Sequence, residues 1–209
     1  MIIEKRKAIF GIGGLARELY FNLEDRDVDF FVDDNFYNND IFFENKTIKP
    51  INQFNPSNYF LIVAIGDPIK RNSVIKRLPL GTKFWSFIHP SITLNQTIKI
   101  GCGAIILQNS ILTTNITIGD FSVIHSFSVV AHDVVIGNFF TSGYGVKISG
   151  SVKIGHNVFL GTNSAIKQEI CIVDNVVVGL SSAVVKNIES SGTFVGIPAK
   201  KISSKINCF

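Results

Sequence analysis

The sequence predicts a parallel β-solenoid preceded by a small α/β unit, and three observations carry that prediction. From Ile88 to Val184 every sixth residue is aliphatic, through Leu94, Ile100, Ile106, Leu112, Ile118, Ile124, Val130, Ile136, Ile148, Ile154, Leu160, Ile166, Ile172 and Val178; Ser142 alone breaks the register. Glycines recur at eighteen, three times six: Gly101, Gly119, Gly137 and Gly155 form one series, and Gly143, Gly161 and Gly179 another. Ahead of the repeat, between Lys7 and Asp34, come an apolar run, a glycine turn, a helical pattern and a second apolar run ending in two acids.

A period of six fits neither the 3.6 of a helix nor the 2 of an alternating strand. It reads as a solenoid in which each hexapeptide is one wall and three make a triangular turn. The fourth residue after each aliphatic is small or β-branched, as at Ala104, Ser110, Ile116, Ser122, Ser128, Val134, Val146, Val152, Val158 and Ser164; Phe140 is the bulky exception. The glycine series are expected at corners, where backbone freedom is needed. A β-sandwich would instead show turn signals about every 8–12 residues and strands of varied length.

In the N-terminal region, Lys7–Phe10 reads as a strand, Gly11-Ile12-Gly13-Gly14 as a turn, Leu15–Leu23 as a helix, and Asp29–Val32 as a strand ending in Asp33-Asp34. That order approximates a dinucleotide-binding unit. Glycines let backbone approach a phosphate, the helix N-terminus favours the anion, and an acid holds a ribose or base. Ala16 stands in place of a third glycine, and without a ligand the same residues are a tight βα turn. Residues 35–58 read as loops with short elements. Tyr59–Ile65 reads as a buried strand, and Gly66-Asp67-Pro68 opens a helix to about Leu78, with Asp67 as N-cap and Pro68 in the first turn. A second strand-to-helix turn beside the first is where an open parallel sheet places its ligand crevice, and Arg71 is placed there to reach a phosphate or solvent. Lys83–Phe87 completes this region, which is half a dinucleotide domain and suits a mononucleotide. The reading divides the chain into residues 1–85, 86–189 and a tail, 190–209.

Composition narrows the classes. With 46% hydrophobic and 17% charged residues, the chain has material for a core and no mark of disorder. The N-terminus MIIEKRKAIF lacks the apolar run of a secretory signal, no stretch has the length of a membrane span, and Cys102, Cys171 and Cys208 have no metal-type spacing. A cytoplasmic protein with reduced thiols is the expectation. The net charge of +4 suits small anionic ligands, and the scattered Lys and Arg form no stripe for nucleic acid.

Units such as IGDFSV, IGHNVF and VGLSSA resemble the hexapeptide-repeat acyltransferases, whose repeat folds as a left-handed parallel β-helix. The half-Rossmann βαβ unit, the Ile88-His89-Pro90-Ser91 junction, His132-Asp133 and the Gly196-Ile197-Pro198-Ala199-Lys200 segment narrow the resemblance. It is to bacterial acetyltransferases acting on nucleotide-linked 4-amino-4,6-dideoxy sugars of surface glycans, and to the related sialic acid O-acetyltransferases. The resemblance implies acetyl-CoA as co-substrate and a UDP- or dTDP-linked sugar as acceptor. It also implies a homotrimer with sites between chains, and no metal.

Residue by residue, the resemblance makes His132 the general base, oriented by Asp133, and Gly150, one coil on, a backbone donor to the thioester oxygen. It assigns the nucleotide to Gly11, Gly13, Gly14, Asp33, Asp34, Gly66 and Arg71, and the coenzyme to Gly161, Gly179 and Lys200. Leu15 and Thr141 stand where several relatives carry histidines. Neighbouring residues on a straight strand point to opposite faces, so Asp133 can serve His132 only at a corner or against another chain. His125 can be structural or line the same groove; His89 shapes the opening turn and His156 sits at an exposed corner. Phe139, Phe140 and Tyr144 lie near enough in sequence to line an acceptor pocket. Two other classes share the repeat: a zinc hydratase using His125, His132 and His156, and a nucleotide-binding solenoid without catalysis. A nicotinamide dehydrogenase is disfavoured by the short N-terminal region.

Overall fold

The computed structural model describes residues 5–37 and 42–205; Cys208 and the end of the tail lie outside them, as does part of the segment read as loops. The N-terminal elements are β1 (Arg6–Phe10), α1 (Gly14–Phe21), β2 (Val28–Val32), β3 (Phe42–Phe43), β4 (Lys46–Pro50), β5 (Tyr59–Val63), α2 (Pro68–Arg77) and β6 (Lys83–Phe84). They form one sheet in the order β3-β4-β2-β1-β5-β6, parallel except for the β3–β4 pair. A parallel sheet buries both faces. Here Ile9, Phe30 and Ile62 pack with Leu15, Leu19 and Tyr20 of α1, while Ala8, Phe10, Phe31 and Leu61 pack with Val74 of α2. The strand β4 was hidden in sequence because Ile48, its central buried residue, is flanked by Thr47 and Lys49.

The repeat forms a left-handed parallel β-helix of three walls. The first wall stacks Phe87–Ile88, Ile105–Ile106, Val123–Ile124, Thr141–Ser142 and Phe159–Leu160. The second carries Val129–Val130 and Lys147–Ile148, and the third Val135–Ile136 and Lys153–Ile154. Up to Val184 the pairings join residues eighteen apart, as Val129 with Lys147 or Val135 with Lys153. From Ile106 to Val184 the hexad aliphatics point inward and form one continuous core with Ile116, Val134, Phe140, Val146 and Val158; Ile88 and Ile100 pack at its edge and Leu94 is exposed. On the first three strands of the first wall the outward residues are apolar too. Phe87, Ile105 and Val123 pack into the same cluster as α1, which docks the N-terminal sheet on this wall.

Each corner turns through a residue of positive φ, among them Asn115 (53°), Phe127 (63°), Asp133 (60°), Ser151 (59°) and Asn163 (59°). This corrects the expectation for the glycine series. The freedom is spent at another hexad position, mostly by residues other than glycine. The serial glycines are needed because the next coil passes too close for a side chain: a Cβ on Gly119 would lie 2.6 Å from the Gly137 carbonyl carbon, and one on Gly161 2.5 Å from the Leu180 nitrogen. The lone break in the aliphatic register is also explained. Ser142 is buried, accepts the His125 backbone N–H at 3.1 Å and lies 3.1 Å from the Ser128 hydroxyl, so it holds the corner at His125 from inside the core. Beyond the repeat, Gly192–Val195 extends the first wall and turns back into Lys200–Ser203, so the segment read as a tail caps the coil.

Arg71 does not reach a ligand or solvent. It is fully buried between the two parts of the chain. Its guanidinium donates to the carbonyls of Ile65 and Gly66 on the sheet side, and to Phe121 O (2.7 Å), Phe140 O (2.9 Å) and Thr141 Oγ1 (2.9 Å) on the β-helix. Thr141 in turn donates to Gly66 O at 2.8 Å. Apolar replacement would take the Arg71 donor from the Ile65 and Phe121 carbonyls, while Phe140 O keeps the Val123 N–H and Gly66 O the Thr141 hydroxyl; each stranded carbonyl costs about 1–3 kcal/mol. Arg71→Met should therefore lower the melting temperature by roughly 6 °C or more for a chain of this size, read by calorimetry.

Candidate active site

The two glycine turns meet over the first wall and enclose a cavity of about 480 Å³ lined by Gly11, Gly13, Gly14, Gly66, Lys70, Glu18, His125 and Tyr144, among others. Gly11 has φ +110°, and a Cβ there would press to 3.1 Å on the Ala64 carbonyl oxygen. Gly13, Gly14 and Gly66 face open space, so their bare backbone is what they offer the cavity. Gly13 caps α1 without any side-chain bond, leaving the first-turn N–H groups uncapped by a side chain, an arrangement suited to an anion. Asp67 does cap α2, accepting from the backbone of Ile69 (2.9 Å) and Lys70 (3.0 Å).

The expected acid pair separates. Asp33 borders a second hollow, about 260 Å³, with Phe10, Gly11, Ile12, Val32, Phe36 and Ile65, and pairs with Arg77 at 3.0 Å. Asp34 turns away and accepts the Asn52 backbone N–H at 3.2 Å. The two hollows share Gly11 and Ile65.

His132 and Asp133 sit at the corner after the second wall, not in that cavity. The αL conformation of Asp133 brings both side chains to the same side, and Nδ1 of His132 stands 2.8 Å from Oδ2 of Asp133. The corner condition set by the sequence is met within one chain. The His132 side chain is 60% exposed. Asp133 also accepts from Asn115 Nδ2 at 3.1 Å. The His132 imidazole, then Asn115, hold its carboxyl below the ordinary range, so it is an ionised acceptor and Nδ1 must carry the proton. Nε2 is thereby left as the basic nitrogen.

Gly150 lies against the His132 ring, where a Cβ would fall 2.5 Å from Cε1 and 2.6 Å from Nε2. Its absent side chain makes room for the imidazole. Gly161 and Gly179 are spent on coil packing, their N–H groups donating to Val178 O (2.7 Å) and Phe194 O (2.8 Å). Lys200 is exposed at the capping strand, bordering a shallow hollow with Val184–Ile188 and Phe194.

The remaining histidines fall as follows. His89 Nδ1 bonds Ser91 Oγ at 2.9 Å in the opening turn, and His156 Nδ1 accepts the Asn138 backbone N–H at 2.9 Å at its corner. His125, His132 and His156 stand on three different edges of the prism, so one chain does not bring them to a common ion. Phe140 is core, and Phe139 stacks on Phe121 at 5.3 Å; of the three aromatics expected near the acceptor only Tyr144 lines the cavity. Sequence reasoning missed Glu18 and Lys70. The signal for Glu18 was its place one helical turn after Gly14, on the face of α1 that follows the glycine turn.

Residues 7–78 match the family described as the PglD N-terminal domain. Comparison with curated proteins finds no match. Among solved structures, a His→Asn variant of perosamine N-acetyltransferase from Caulobacter crescentus, in complex with CoA and GDP-perosamine, is similar at a TM-score of 0.86 and 22% identity, over 95% of this chain and 97% of that one. The acetyltransferase domain of PglB from Neisseria gonorrhoeae is similar at 0.85 and 21%, over 95% and 100%. WeeI from Acinetobacter baumannii is similar at 0.85 and 23%, over the same shares. No described helix is long and apolar enough to cross a membrane.

Gly150→Ala should push the imidazole off Asp133 while leaving the fold intact, since the ring is exposed and can swing outward. The expected result is an unchanged melting temperature with the His132 ring resonances altered in NMR spectra; an unaltered ring environment would contradict the close packing. Residues 7–78 thus match the PglD N-terminal domain, and nearly the whole chain has the fold seen in the Caulobacter perosamine N-acetyltransferase and the gonococcal PglB acetyltransferase domain.

Proposed function

We propose that this protein is an acetyl-CoA-dependent N-acetyltransferase whose acceptor is a nucleotide-linked 4-amino-4,6-dideoxyhexose used in surface-glycan synthesis. The observation that carries the reading is the His132–Asp133 pair: a solvent-reached imidazole with Nδ1 protonated by its bond to an ionised carboxylate and Nε2 free to take a proton. The similar structures support it. The Caulobacter perosamine N-acetyltransferase was crystallised with CoA and GDP-perosamine as His→Asn and His→Ala variants, and the gonococcal PglB domain with acetyl coenzyme A.

In this reading the glycine turns at Gly11–Gly14 and Gly66, with Lys70, hold the diphosphate, and the hollow at Asp33 takes the base, whether uracil, thymine or guanine. The sugar amine bonds to the thioester carbonyl carbon while its proton passes to Nε2 of His132. The C–S bond then breaks, and the imidazolium returns the proton to the departing thiolate. Asp133 stabilises the imidazolium between those steps. The Gly150 N–H is the donor toward the oxygen that becomes negative. Gly161, Gly179 and Lys200 border the coenzyme along the edge and cap, with Lys200 meeting a phosphate as a point charge.

The cavity follows the first wall and His132 the second, so in this reading one chain's His132 faces another's cavity, within the homotrimer that the family resemblance implies. Residues 1–85 then bind the nucleotide sugar, and 86–189 supply catalysis.

The direct test is release of CoA thiol from acetyl-CoA across UDP-, dTDP- and GDP-linked amino sugars. Activity should appear with a 4-amino sugar, and His132→Ala and Asp133→Asn should each lower kcat by about 10²-fold or more. Thiol release with sialic acid acceptors alone would move the reaction to O-acetylation. A second test addresses the interface. Gly13→Asp sets a carboxylate in the phosphate turn where open space spares the fold, and should be inactive. Co-expressed with inactive His132→Ala, it should regain measurable activity in mixed trimers. No recovery would place the whole reaction within one chain.

A further inference from the structure

The cavity contains a polar cluster that the reading above does not use. Glu18 projects from α1, one helical turn past Gly14, and its carboxylate accepts the hydroxyl of Tyr144 on Oε1. Its other oxygen, Oε2, lies 3.6 Å from Nδ1 of His125, an ion-pair distance too long for a hydrogen bond. That Nδ1 is enclosed and has no hydrogen-bond partner among the described residues. The His125 and Tyr144 rings lean on each other with centroids 4.7 Å apart. All three residues line the cavity beside the glycine turns, and Glu18 is about 40% exposed to it.

The electrostatics make this cluster unusual for a phosphate site. The His125 imidazole, with help from the Tyr144 hydroxyl, holds the Glu18 carboxyl below its ordinary range, while burial and Glu18 push the Tyr144 phenol up to about 12. An ionised carboxylate opposes a diphosphate placed beside it. It is an acceptor only, so it is suited to whatever part of the ligand presents donors. Glu18 is four residues along the helix from Gly14, about 6 Å at 1.5 Å per residue. A hexose joined to a phosphate held at the turn extends over such a distance. Asp33 and its apolar hollow lie on the other side of Gly11, where the base is placed.

On the reading that the cavity binds a nucleotide sugar, we propose that Glu18, His125 and Tyr144 form the subsite that recognises the hexose. An amine or hydroxyl donor of the sugar is accepted by Oε2 of Glu18. Tyr144 pins the carboxylate from one side, and His125, itself fixed through its backbone by Ser142, walls the other. Glu18 is thus a specificity residue: it distinguishes the sugar-bearing nucleotide from the bare nucleoside diphosphate.

The experiment is isothermal titration of the full-length protein and of Glu18→Gln, which keeps shape and removes charge. The probes are UDP, dTDP and GDP, and the 4-amino-4,6-dideoxyhexose conjugate of each. For whichever nucleotide binds, Glu18→Gln should weaken the conjugate about tenfold and leave the bare diphosphate unchanged or tighter, because a repelling charge is gone. Tyr144→Phe should reproduce the loss in part. Equal changes for conjugate and diphosphate, or none, would make the cluster a strut between the two parts of the chain and overturn the inference. Failure of every probe to bind the unmutated protein would overturn the nucleotide-sugar reading, and this inference with it.

Discussion

The corner residue at φ near +60° is the constraint from which the rest of this molecule follows. A chain of L-residues enters the left-handed region at a cost unless the side chain is small, polar or absent, yet twelve such corners lie between Asn109 and Ser181 in residues other than glycine. Asn and Asp accept that conformation most readily; Phe121 and Phe139 adopt it stacked on one another, and Phe127 adopts it at an exposed corner. The turn keeps successive walls at eighteen residues per coil and carries the continuous core. It also sets two neighbouring side chains on one side of the backbone. His132 and Asp133 could not share a hydrogen bond on a flat strand.

The second constraint is the buried guanidinium between the two architectures. A parallel sheet and a β-helix offer each other few shaped surfaces, and here the apolar contact through Phe87, Ile105 and Val123 is joined by Arg71 binding carbonyls on both sides. Because Ile65 and Gly66 are among its partners, the interdomain joint is also the floor of the second glycine turn. Orientation of the cavity and integrity of the joint are therefore one property. The Thr141 hydroxyl adds a direct strut to the Gly66 carbonyl from the first wall.

The repeat, both glycine turns and both helices were legible because each depends on local pattern: a period, a cap, a turn. What was illegible depends on long-range geometry. Arg71 looks like a first-turn phosphate ligand in sequence and becomes a buried clamp only once the β-helix is laid against α2. The serial glycines announce a period but not its cause, which is the approach of the next coil. β4 buries only Ile48 and the terminal Pro50, and its strand character comes from pairing with β2. In the candidate site, the His132–Asp133 pair was readable down to its geometric condition, whereas Glu18 was not, since nothing local ties a helix residue to Tyr144, 126 positions later. Ser142 was the one clue to that region: a polar residue inserted into an otherwise aliphatic register marks the place where the core supports the corner at His125.

The distribution of charge over the prism gives the two edges different work. One wall of six residues spans at most roughly 20 Å at 3.3 Å per residue, and that wall separates the His125 corner from the His132 corner. On the first edge the Glu18 carboxylate holds the Tyr144 hydroxyl and the His125 ring leans on Tyr144, partly enclosed, so the cluster is fixed in shape. On the second edge the imidazole is exposed and tied at Nδ1 alone, so Nε2 can exchange a proton with whatever meets it. Recognition suits the first arrangement and proton transfer the second. Placing them on separate edges lets each be tuned without disturbing the other, and their meeting then depends on how copies of the chain pack edge to cavity.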